Sequence, residues 1–409
     1  MRILVVSQYF WPENFRINDV VTGLRDRGHE VTVLTGIPNY PEGKPFQGYS
    51  PVSTKREMYN GIPVVRTPHL MRGGGRGRDL TLNFLSFALS ASLSGILRLG
   101  KAFDIIFVYE PSPITVGLPA VVLKKHLKIP LVFWVQDLWP ESLTATGAIK
   151  SPIIIQMVSK MVRFIYRHCD RILIQSKAFI EPIQELGVNP CRICYFPNSA
   201  ESTYCPIPRE TAKLSGVEWP DGFCVLFAGN LGAAQDFPTI LSAAENLREF
   251  NDIHWVILGD GRMFNWVQQE VKSRNLSQTV HLLGRFPSEL MPQFFSLSEA
   301  LLVTLKKDPI FSITIPSKVQ SYLACAKPII AALDGEGARI INEATAGITC
   351  KPEDPQALMN SVLRIYEMSA EERQRMGCNG RKYFEQNFER ERLIDRLVGW
   401  FDELRGRFN

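Results

Sequence analysis

The stretch from Lys306 to Leu333 reads KKDPIFSITIPSKVQSYLACAKPIIAAL, and it decides how the second half of the chain folds. One apolar run precedes it and another ends it, and we predict a buried strand for each. Pro316 is predicted at the first helical position between them, because a proline there needs no N–H donor. The N–H groups of Ser317 and Lys318 then lack intrahelical partners. Such a helix start suits a phosphate or diphosphate; the alternative is an ordinary strand–helix turn with a solvated lysine.

The composition is typical of a soluble globular protein, with 45% hydrophobic and 21% charged residues among 409. A chain of this length predicts two domains of about 200 residues each. The break lies where PNSAE at 197–201 is followed by three further prolines. We therefore predict domains at 1–197 and 198–389, and a terminal helix at 390–409 that packs back on the first domain.

The formal net charge of +5 is unevenly distributed along the chain. Residues 1–197 contain 23 Lys and Arg against 14 Asp and Glu, a net charge of +9, and the remainder contains 23 against 27, a net charge of −4. The basic half is predicted to meet an anionic membrane surface, a lipid phosphate or a nucleic acid. A nucleic-acid partner is not expected, since the one basic heptapeptide, RGGGRGR at 72–78, is too little for it.

The eight cysteines are dispersed in a long chain, which is not the pattern of a small disulfide framework. Cys191 and Cys194 form an isolated C-x-x-C pair, for which a zinc or redox role and a purely structural role are both open. Residues 1–6 run straight into an apolar strand that stops at Trp11-Pro12. This start does not resemble a signal peptide, so a cytoplasmic location is expected.

The first 70 residues predict a strand–helix–strand unit followed by loops. RILVVS at 2–7 reads as a buried parallel strand, a helix extends to about Arg27, and residues 30–34 form the second strand. The first loop is not G-x-G-x-x-G, so a dinucleotide fingerprint is absent. The Pro- and Gly-rich loop at 37–50 should lie over the site end of the sheet, and a hairpin at 55–67 should turn at Asn60-Gly61.

A basic loop at 72–78 leads into residues 80–97, which carry no charge in 18 positions. Three interpretations are open: a transmembrane helix of minimal length, a buried helix, or a helix that rests partly on a membrane. A basic loop before an amphipathic helix is typical of peripheral membrane binding.

Three carboxylates follow two predicted strands. Glu110 ends the run DIIFVYE, and Asp137 and Glu141 follow the strand at 130–135, with Trp139 between them. Open α/β sheets bind ligands at the carboxyl ends of their strands, which makes these residues site candidates. A helix N-terminus, with Asp137 as cap and Glu141 favouring the dipole, explains the same pattern.

Strands and helices alternate again from residue 223. FCVLFA at 223–228 leads into Gly229-Asn230-Leu231-Gly232, and later strands lead into LGDG at 258–261 and LGRFP at 283–287. The predicted fold class is therefore α/β, with two Rossmann-like parallel-sheet domains.

Seven motifs, in this order, resemble a retaining glycosyltransferase of the GT-B fold, in group 1 (family 4). They are RGHEVTVLTG (27–36), FWVQDLWPES (133–142), PNSAE (197–201), FAGNLG (227–232), LGDG (258–261), LGRFP (283–287) and IPSKVQSYLACAKPIIA (315–331). Within the family the chain is similar to transferases of bacterial surface-polysaccharide assembly, including the L-fucosamine and colanic-acid types.

The resemblance implies two domains facing across a cleft, with the nucleotide-sugar donor bound to the second and the acceptor to the first. The implied donor residues are Gly229, Asn230, Gly232, Asp260, Arg285, Phe286, Thr314, Ile315, Pro316, Ser317, Lys318 and Ser321. The implied acceptor residues are Asn14, Arg16, Tyr40 and Trp139. The implied catalytic candidates are Asp137, then Glu141, then Glu110.

The chain departs from the family pattern at four positions. Asn230 and Gln235 stand where many relatives carry Arg and Lys, while Ile313 and Ser321 align with the two glutamates of an E-x7-E pattern. The diphosphate would then depend on Lys318 and the adjacent N–H groups.

The expected activity is transfer of a sugar, with retention, from a UDP-linked donor to a lipid-linked or oligosaccharide acceptor in cell-surface polysaccharide synthesis. No Asp-x-Asp occurs in the sequence, so we expect no cofactor and no metal. Peripheral association with the inner membrane, through loop 72–78 and helix 80–97, is expected. The alternatives are a non-hydrolysing UDP-sugar epimerase and a non-catalytic nucleotide-binding scaffold.

Overall fold

The computed structural model describes residues 1–52, 54–74, 76–145, 151–214 and 216–408. The chain divides into two compact units. The first contains residues 1–197 and those from Leu393 onward, and the second contains Asn198–Arg392. Each unit has its own sheet with helices packed on it, so the α/β class with two Rossmann-like domains is confirmed.

The first unit contains an eight-stranded sheet in its described part, ordered β3-β4-β2-β1-β5-β6-β7-β8. The strands are β1 (Arg2–Val6), β2 (Glu30–Gly36), β3 (Lys55–Tyr59), β4 (Ile62–Thr67), β5 (Ile105–Glu110), β6 (Leu131–Val135), β7 (Arg171–Ile174) and β8 (Ile193–Tyr195). All neighbours are parallel except β3 and β4, which form the predicted hairpin at the edge. Every residue of β5 and β6 is buried, as expected of parallel strands with both faces covered.

Helices connect these strands. They are α1 (Arg16–Asp26), α2 (Gly77–Arg98), α3 (Gly117–Leu127), α4 (Glu141–Ala145), α5 (Pro152–His168) and α6 (Ile180–Glu185). Helix α1 buries Ile17, Val20, Val21 and Leu24, the apolar positions that predicted it.

The second unit contains a six-stranded parallel sheet in its described part, ordered β11-β10-β9-β12-β13-β14. Its strands are β9 (Phe223–Ala228), β10 (Ile253–Leu258), β11 (Val280–Gly284), β12 (Ala300–Thr304), β13 (Ile329–Ala332) and β14 (Gly347–Cys350). Its helices are α7 (Phe237–Asn246), α8 (Phe264–Ser273), α9 (Met291–Leu297), α10 (Pro309–Ile313), α11 (Ser317–Ala324), α12 (Gly335–Glu343), α13 (Pro355–Tyr366) and α14 (Ala370–Asn387).

Helix α15 (Arg390–Phe408) returns to the first unit. Its buried residues Leu393, Leu397 and Phe401 join the core formed by α1 and the central strands. The ring of Phe401 lies 5.5 Å from that of Phe107 on β5, measured between centroids. The predicted return of the terminal helix is confirmed.

The start of α11 differs from the prediction. Pro316 has ψ 130° and caps the helix from outside, so Ser317 is the first helical residue. The extended ψ explains the one-residue difference, because a residue inside the helix needs ψ near −40°. The two N–H groups at Ser317 and Lys318 remain at the helix start.

Helix α2 is long and apolar enough to cross a membrane, and it is the one such helix among the residues that the structure covers. It packs its small side chains inward, including Ala88, Ala91 and Gly95. Its leucines, with Leu89 and Leu97 the most exposed, face outward. The buried face also includes Phe87 and Asn83, so both faces of the helix are largely apolar, and the helix lacks the one-sided apolar pattern of an amphipathic helix.

Candidate functional site

The second unit contains a cavity of about 900 Å³ at the carboxyl ends of β9 and β11 and the start of α11. A smaller cavity of about 370 Å³ adjoins it and shares Gly229, Asn230, Arg285 and Phe286. Carboxyl ends of parallel strands are where such sheets bind ligands. The predicted donor residues that line one cavity or the other are Gly229, Asn230, Asp260, Arg285, Phe286, Ser317, Lys318 and Ser321.

Lys318 is the central cation of the larger cavity. Its Nζ lies 3.4 Å from the centroid of the Phe227 ring, a cation–π contact. Burial lowers the pKa of the ammonium to about 7. No carboxylate pairs with it in the described ranges. A buried ammonium without a counter-ion is stabilised by an anionic ligand.

The start of α11 adds two further donors to the same cavity. The N–H groups of Ser317 and Lys318 have no partner earlier in the helix, and no side chain caps it. Tyr322 fixes the helix, since its hydroxyl accepts the N–H of Ala228 at 3.2 Å and donates to the Leu302 carbonyl at 3.3 Å. The Lys318 ammonium and the two N–H groups thus belong to one cavity, which suits a diphosphate.

Two glycines allow the loops to approach each other. A Cβ at Gly229, where φ is +139°, would lie 2.6 Å from Cε of Lys318. A Cβ at Gly259, where φ is +133°, would lie 1.8 Å from the carbonyl oxygen of Gly229. Both positions need a left-handed backbone and an absent side chain.

Substituting Gly229→Ala is expected to displace Lys318 and weaken nucleotide binding at least about tenfold, because the added Cβ occupies the position of the lysine stem. Isothermal titration with UDP measures the effect. Gly48→Ala is the control: its φ is also positive, at +84°, but nothing lies within 4 Å of the added Cβ. Equal UDP affinities for the two variants would contradict the role of Gly229.

The glycine loop after β9 is held by its own side chains. The N–H of Gly232 donates to Oε1 of Gln235 at 3.0 Å. The side-chain oxygen of Gln235 therefore stabilises the loop, and the residue also lines the larger cavity. The resemblance places a lysine at this position in many relatives. Gly232 lies behind Asn230, whose Nδ2 would be 2.7 Å from an added Cβ.

Like Gly232, three further predicted donor residues do not line either cavity. Thr314 donates its hydroxyl to the Ile310 carbonyl at 3.1 Å, Ile315 is buried in the core of the second unit, and Pro316 caps α11. Their side chains support the site rather than face it. Backbone contacts at Thr314 and Ile315 stay a prediction.

The cavity also contains residues that the sequence did not indicate, among them Tyr204, Glu289 and Met291. Glu289 lies four positions after Arg285 and is exposed. Glu289 lies in a short turn before α9, and no motif in the sequence indicates that this turn lines a cavity.

The carboxylates of the first unit gather at the carboxyl ends of β5 and β6, which pair in parallel. The hydroxyl of Ser142 donates to Oδ1 of Asp137. Burial raises the pKa of Asp137, and the Ser142 hydrogen bond opposes that rise. Asp137 is part-exposed and does not cap α4, which begins at Glu141. Burial also raises the pKa of Glu141.

Glu110 is fully buried at the end of β5. Burial, and then the charge of Asp137, raise its pKa well above the ordinary range. A carboxyl in this position favours its neutral form and can influence Asp137, but its complete burial keeps it from contacting a substrate.

The four predicted acceptor residues differ in their exposure to solvent. Tyr40 and Asn14 are exposed, whereas Trp139 is buried. Arg16 begins α1, with its N–H facing the hydroxyl of Tyr109. Tyr40 packs with Tyr9 and Phe15 at centroid distances of 5.4 to 5.6 Å.

Glu13, which no sequence pattern indicated, connects the loops around this surface. Its Oε1 accepts the N–H groups of Asn39 and Tyr40 at 2.8 and 2.7 Å, and its Oε2 accepts that of Phe10 at 3.2 Å. Arg72 of the basic loop lies 4.9 Å above the Tyr40 ring. The loops after β1, β2 and β4 therefore form one surface.

All eight cysteines are free thiols. Across the described ranges, no three His, Cys, Asp or Glu side chains are grouped to hold a metal ion. Cys191 and Cys194 accordingly have no further ligand near them in that part of the chain.

Both halves of the chain match known protein families. Residues 212–383 match the family described as Glycosyl transferases group 1, and residues 14–199 match the Glycosyl transferase 4-like domain. Together the two matches include most of the residues in both candidate sites, although Tyr204 and Glu13 lie outside them.

Two relatives of similar sequence are named as glycosyltransferases. A probable glycosyltransferase, WbjE, of Pseudomonas aeruginosa is 28% identical over 76% of each chain. A putative colanic acid biosynthesis glycosyl transferase, WcaI, of Escherichia coli strain K12 is 23% identical over 99% of this chain and 100% of its own.

A solved structure has the same fold. HepE of Anabaena, crystallised in complex with UDP, superimposes with a TM-score of 0.73 at 16% identity, covering 99% of this chain and all of its own. The match extends over both units.

Proposed function

Since the chain is a group 1 glycosyltransferase with a glycosyltransferase 4-like amino-terminal domain, we propose that it transfers a sugar from a UDP-linked donor, with retention of configuration. The observation that carries the proposal is Lys318, a part-buried ammonium without a counter-ion in the described ranges, beside the free N–H groups of α11. HepE, which has the same fold, was crystallised with UDP.

The donor diphosphate would sit against Lys318 and the N–H groups of Ser317 and Lys318. As the sugar–phosphate bond breaks, negative charge grows on the leaving UDP, and fixed donors already aimed at that position stabilise it. Arg285 and Phe286 would hold the base at the far end of the cavity. Asn230 and Asp260, in the adjoining cavity, are then left for the sugar hydroxyl groups.

Asp137 would orient the acceptor hydroxyl and assist its deprotonation. Asp137 is part-exposed, as Glu141 is, but it alone lies in the loop directly after β6, and a hydrogen bond from Ser142 fixes its Oδ1. Attack on the same face from which UDP departs gives retention without a covalent intermediate. Glu141 is the second choice for this role, and Glu110 would act through Asp137.

The acceptor would be a lipid-linked saccharide at the cytoplasmic face of the inner membrane. The two curated relatives are described as a probable glycosyltransferase and a colanic acid biosynthesis enzyme. The net charge of +9 over residues 1–197, loop 72–78 and the exposed leucines of α2 support contact with anionic lipid. Exposed Tyr40 with Arg72 above it would contact the saccharide and its phosphate.

The nucleotide is tested by thermal shift with UDP, GDP, ADP and NAD, first without metal and then with magnesium. Stabilisation by UDP in both conditions is the expected result, since the charge on the diphosphate is met by the protein itself. Stabilisation by NAD alone, or by no nucleotide, would contradict the donor site. Incubation with UDP-sugar but no acceptor separates the proposal from epimerisation, because an epimerase converts its donor without any acceptor.

A further inference from the structure

Three neighbouring helices of the first unit expose apolar side chains on one surface. Helix α2 packs on α3, and α3 packs on α5. The exposure is high for residues of this type: 66% for Leu89, 71% for Ile153 and 66% for Met157. The exposed apolar residues on these helices are Leu82, Leu85, Leu89, Leu93, Ile96, Leu97, Val122, Ile153, Ile154, Met157 and Phe164.

Each helix is seated in the fold by its other face. Gly95 of α2 lies against Leu123, since an added Cβ would be 2.7 Å from Cδ2 of that leucine. The Tyr166 ring of α5 lies 5.9 Å from the Phe133 ring on β6, measured between centroids. The exposed side chains are therefore additional to the core.

The charged residues of these helices are almost all cations. Helices α3 and α5 contain no Asp or Glu, and α2 contains Asp79 alone. Cations stand exposed beside the apolar residues, namely Lys125, Lys128, Lys160, Arg163 and Arg167. Apolar side chains with flanking cations and almost no carboxylates match the surface of an anionic bilayer.

We infer that α2, α3 and α5 together form one docking surface for an anionic lipid bilayer, in which α5 inserts Ile153, Ile154 and Met157 alongside the leucines of α2. The inference extends the membrane contact of the proposed function, and it adds a helix that no sequence pattern had indicated.

One end of this surface lies at the edge of the sheet that also carries the carboxyl groups of the first unit. Helices α2 and α5 both begin at the carboxyl edge of the sheet, where Nε2 of Gln8 donates to Oδ1 of Asn83 at 2.7 Å. The chain segment between Asp137 and α5 starts at this edge as well. A bilayer on this surface would present a lipid-linked acceptor near Asp137.

The inference is tested by co-sedimentation of the full chain with vesicles of phosphatidylglycerol and phosphatidylcholine, compared with phosphatidylcholine alone. The double variant Ile153→Ser/Met157→Ser is expected to lose at least about tenfold in partitioning. The double variant Lys160→Glu/Arg163→Glu is expected to lose at least about 30-fold on the anionic vesicles, together with most of the salt dependence. Met58→Ser, at 59% exposure on β3, is the matched control and should bind like the wild type.

UDP binding distinguishes failure of the inference from failure of the proposed function. Variants that bind UDP normally and lose vesicles support the lipid surface. Wild-type protein that binds UDP but no anionic vesicle overturns it and leaves the donor site intact. Variants on α5 that bind vesicles as the wild type does overturn the role of α5. The wild type could instead be a dimer that binds no lipid, while the α5 variant is a monomer. That result would assign the surface to a second copy of the chain and would also overturn the inference.

Discussion

Replacing Asp137 by asparagine is expected to lower kcat about 100-fold, the lower end of the contribution of a positioned acid or base, while the affinity for UDP stays within about twofold. Asparagine keeps the shape of the side chain and the hydrogen bond from Ser142, but it cannot take up the proton of the substrate's acceptor hydroxyl. Initial rates with saturating donor measure kcat, and isothermal titration measures UDP affinity.

The pH dependence provides a second measure of the same residue. Burial raises the pKa of Asp137, so the ionised form is lost at a higher pH than for an ordinary aspartate, and kcat/KM should fall as pH decreases through that raised pKa. The asparagine variant should lack this acidic limb. Asp104→Asn, a variant just before β5 at the opposite edge of the sheet, should change kcat less than twofold. A larger loss in Glu141→Gln than in Asp137→Asn would transfer the role to Glu141.

Lys318→Met is expected to raise the Kd for UDP between about 10- and 150-fold, the effect of losing one hydrogen bond between charged groups. Methionine keeps the length of the side chain and its contact with the Phe227 ring. The same substitution should raise the Tm of the ligand-free protein at pH 7, because it removes a cation that burial destabilises.

The gain in stability should depend on pH with a definite sign. Burial holds the pKa of Lys318 at about 7 in the folded chain, below its value in the unfolded chain, so unfolding takes up a proton above pH 7. The wild type therefore gains stability relative to the methionine variant as pH rises from 7 towards 9, and the difference in Tm narrows. Lys307→Met, at an exposed neighbouring lysine, should change neither Tm nor UDP affinity. A difference in Tm between the wild type and the methionine variant that does not change with pH would contradict the lowered pKa of Lys318.

Proton uptake on UDP binding completes this prediction. A diphosphate raises the pKa of Lys318, so the affinity of the wild type should fall as pH rises above 7, up to the raised pKa of the complex. Titrations at pH 8 in buffers of different ionisation enthalpy would measure the proton taken up.

The sequence predicted the elements whose residue patterns are local. The apolar runs that became β5, β6, β9 and β12 are buried throughout, so they stand out from their neighbours without any knowledge of the fold. Lys318 could be selected because Pro316 marks a helix start in the sequence. The first N–H groups of any helix lack intrahelical partners, and Lys318 stands among them.

Long-range contacts were beyond sequence reasoning. Glu13 accepts N–H groups from residues 26 and 27 positions away, and nothing near it in the chain indicates that role. Glu110 was the third catalytic candidate because it ends a strand, and the local pattern did not show that the packing around β5 buries it completely. In α2 both faces are apolar, so hydropathy alone could not distinguish the buried small residues from the exposed leucines.

The return of α15 to the first unit affects the order in which the chain can fold during synthesis. Phe401 and Leu404 fill the core beside α1, yet the ribosome adds them only after all of the second unit. Domains generally fold as they emerge, amino-terminal first. Here the second unit can finish folding while the first still exposes the groove that α15 will fill, so the growing chain holds apolar surface open until translation has passed residue 404.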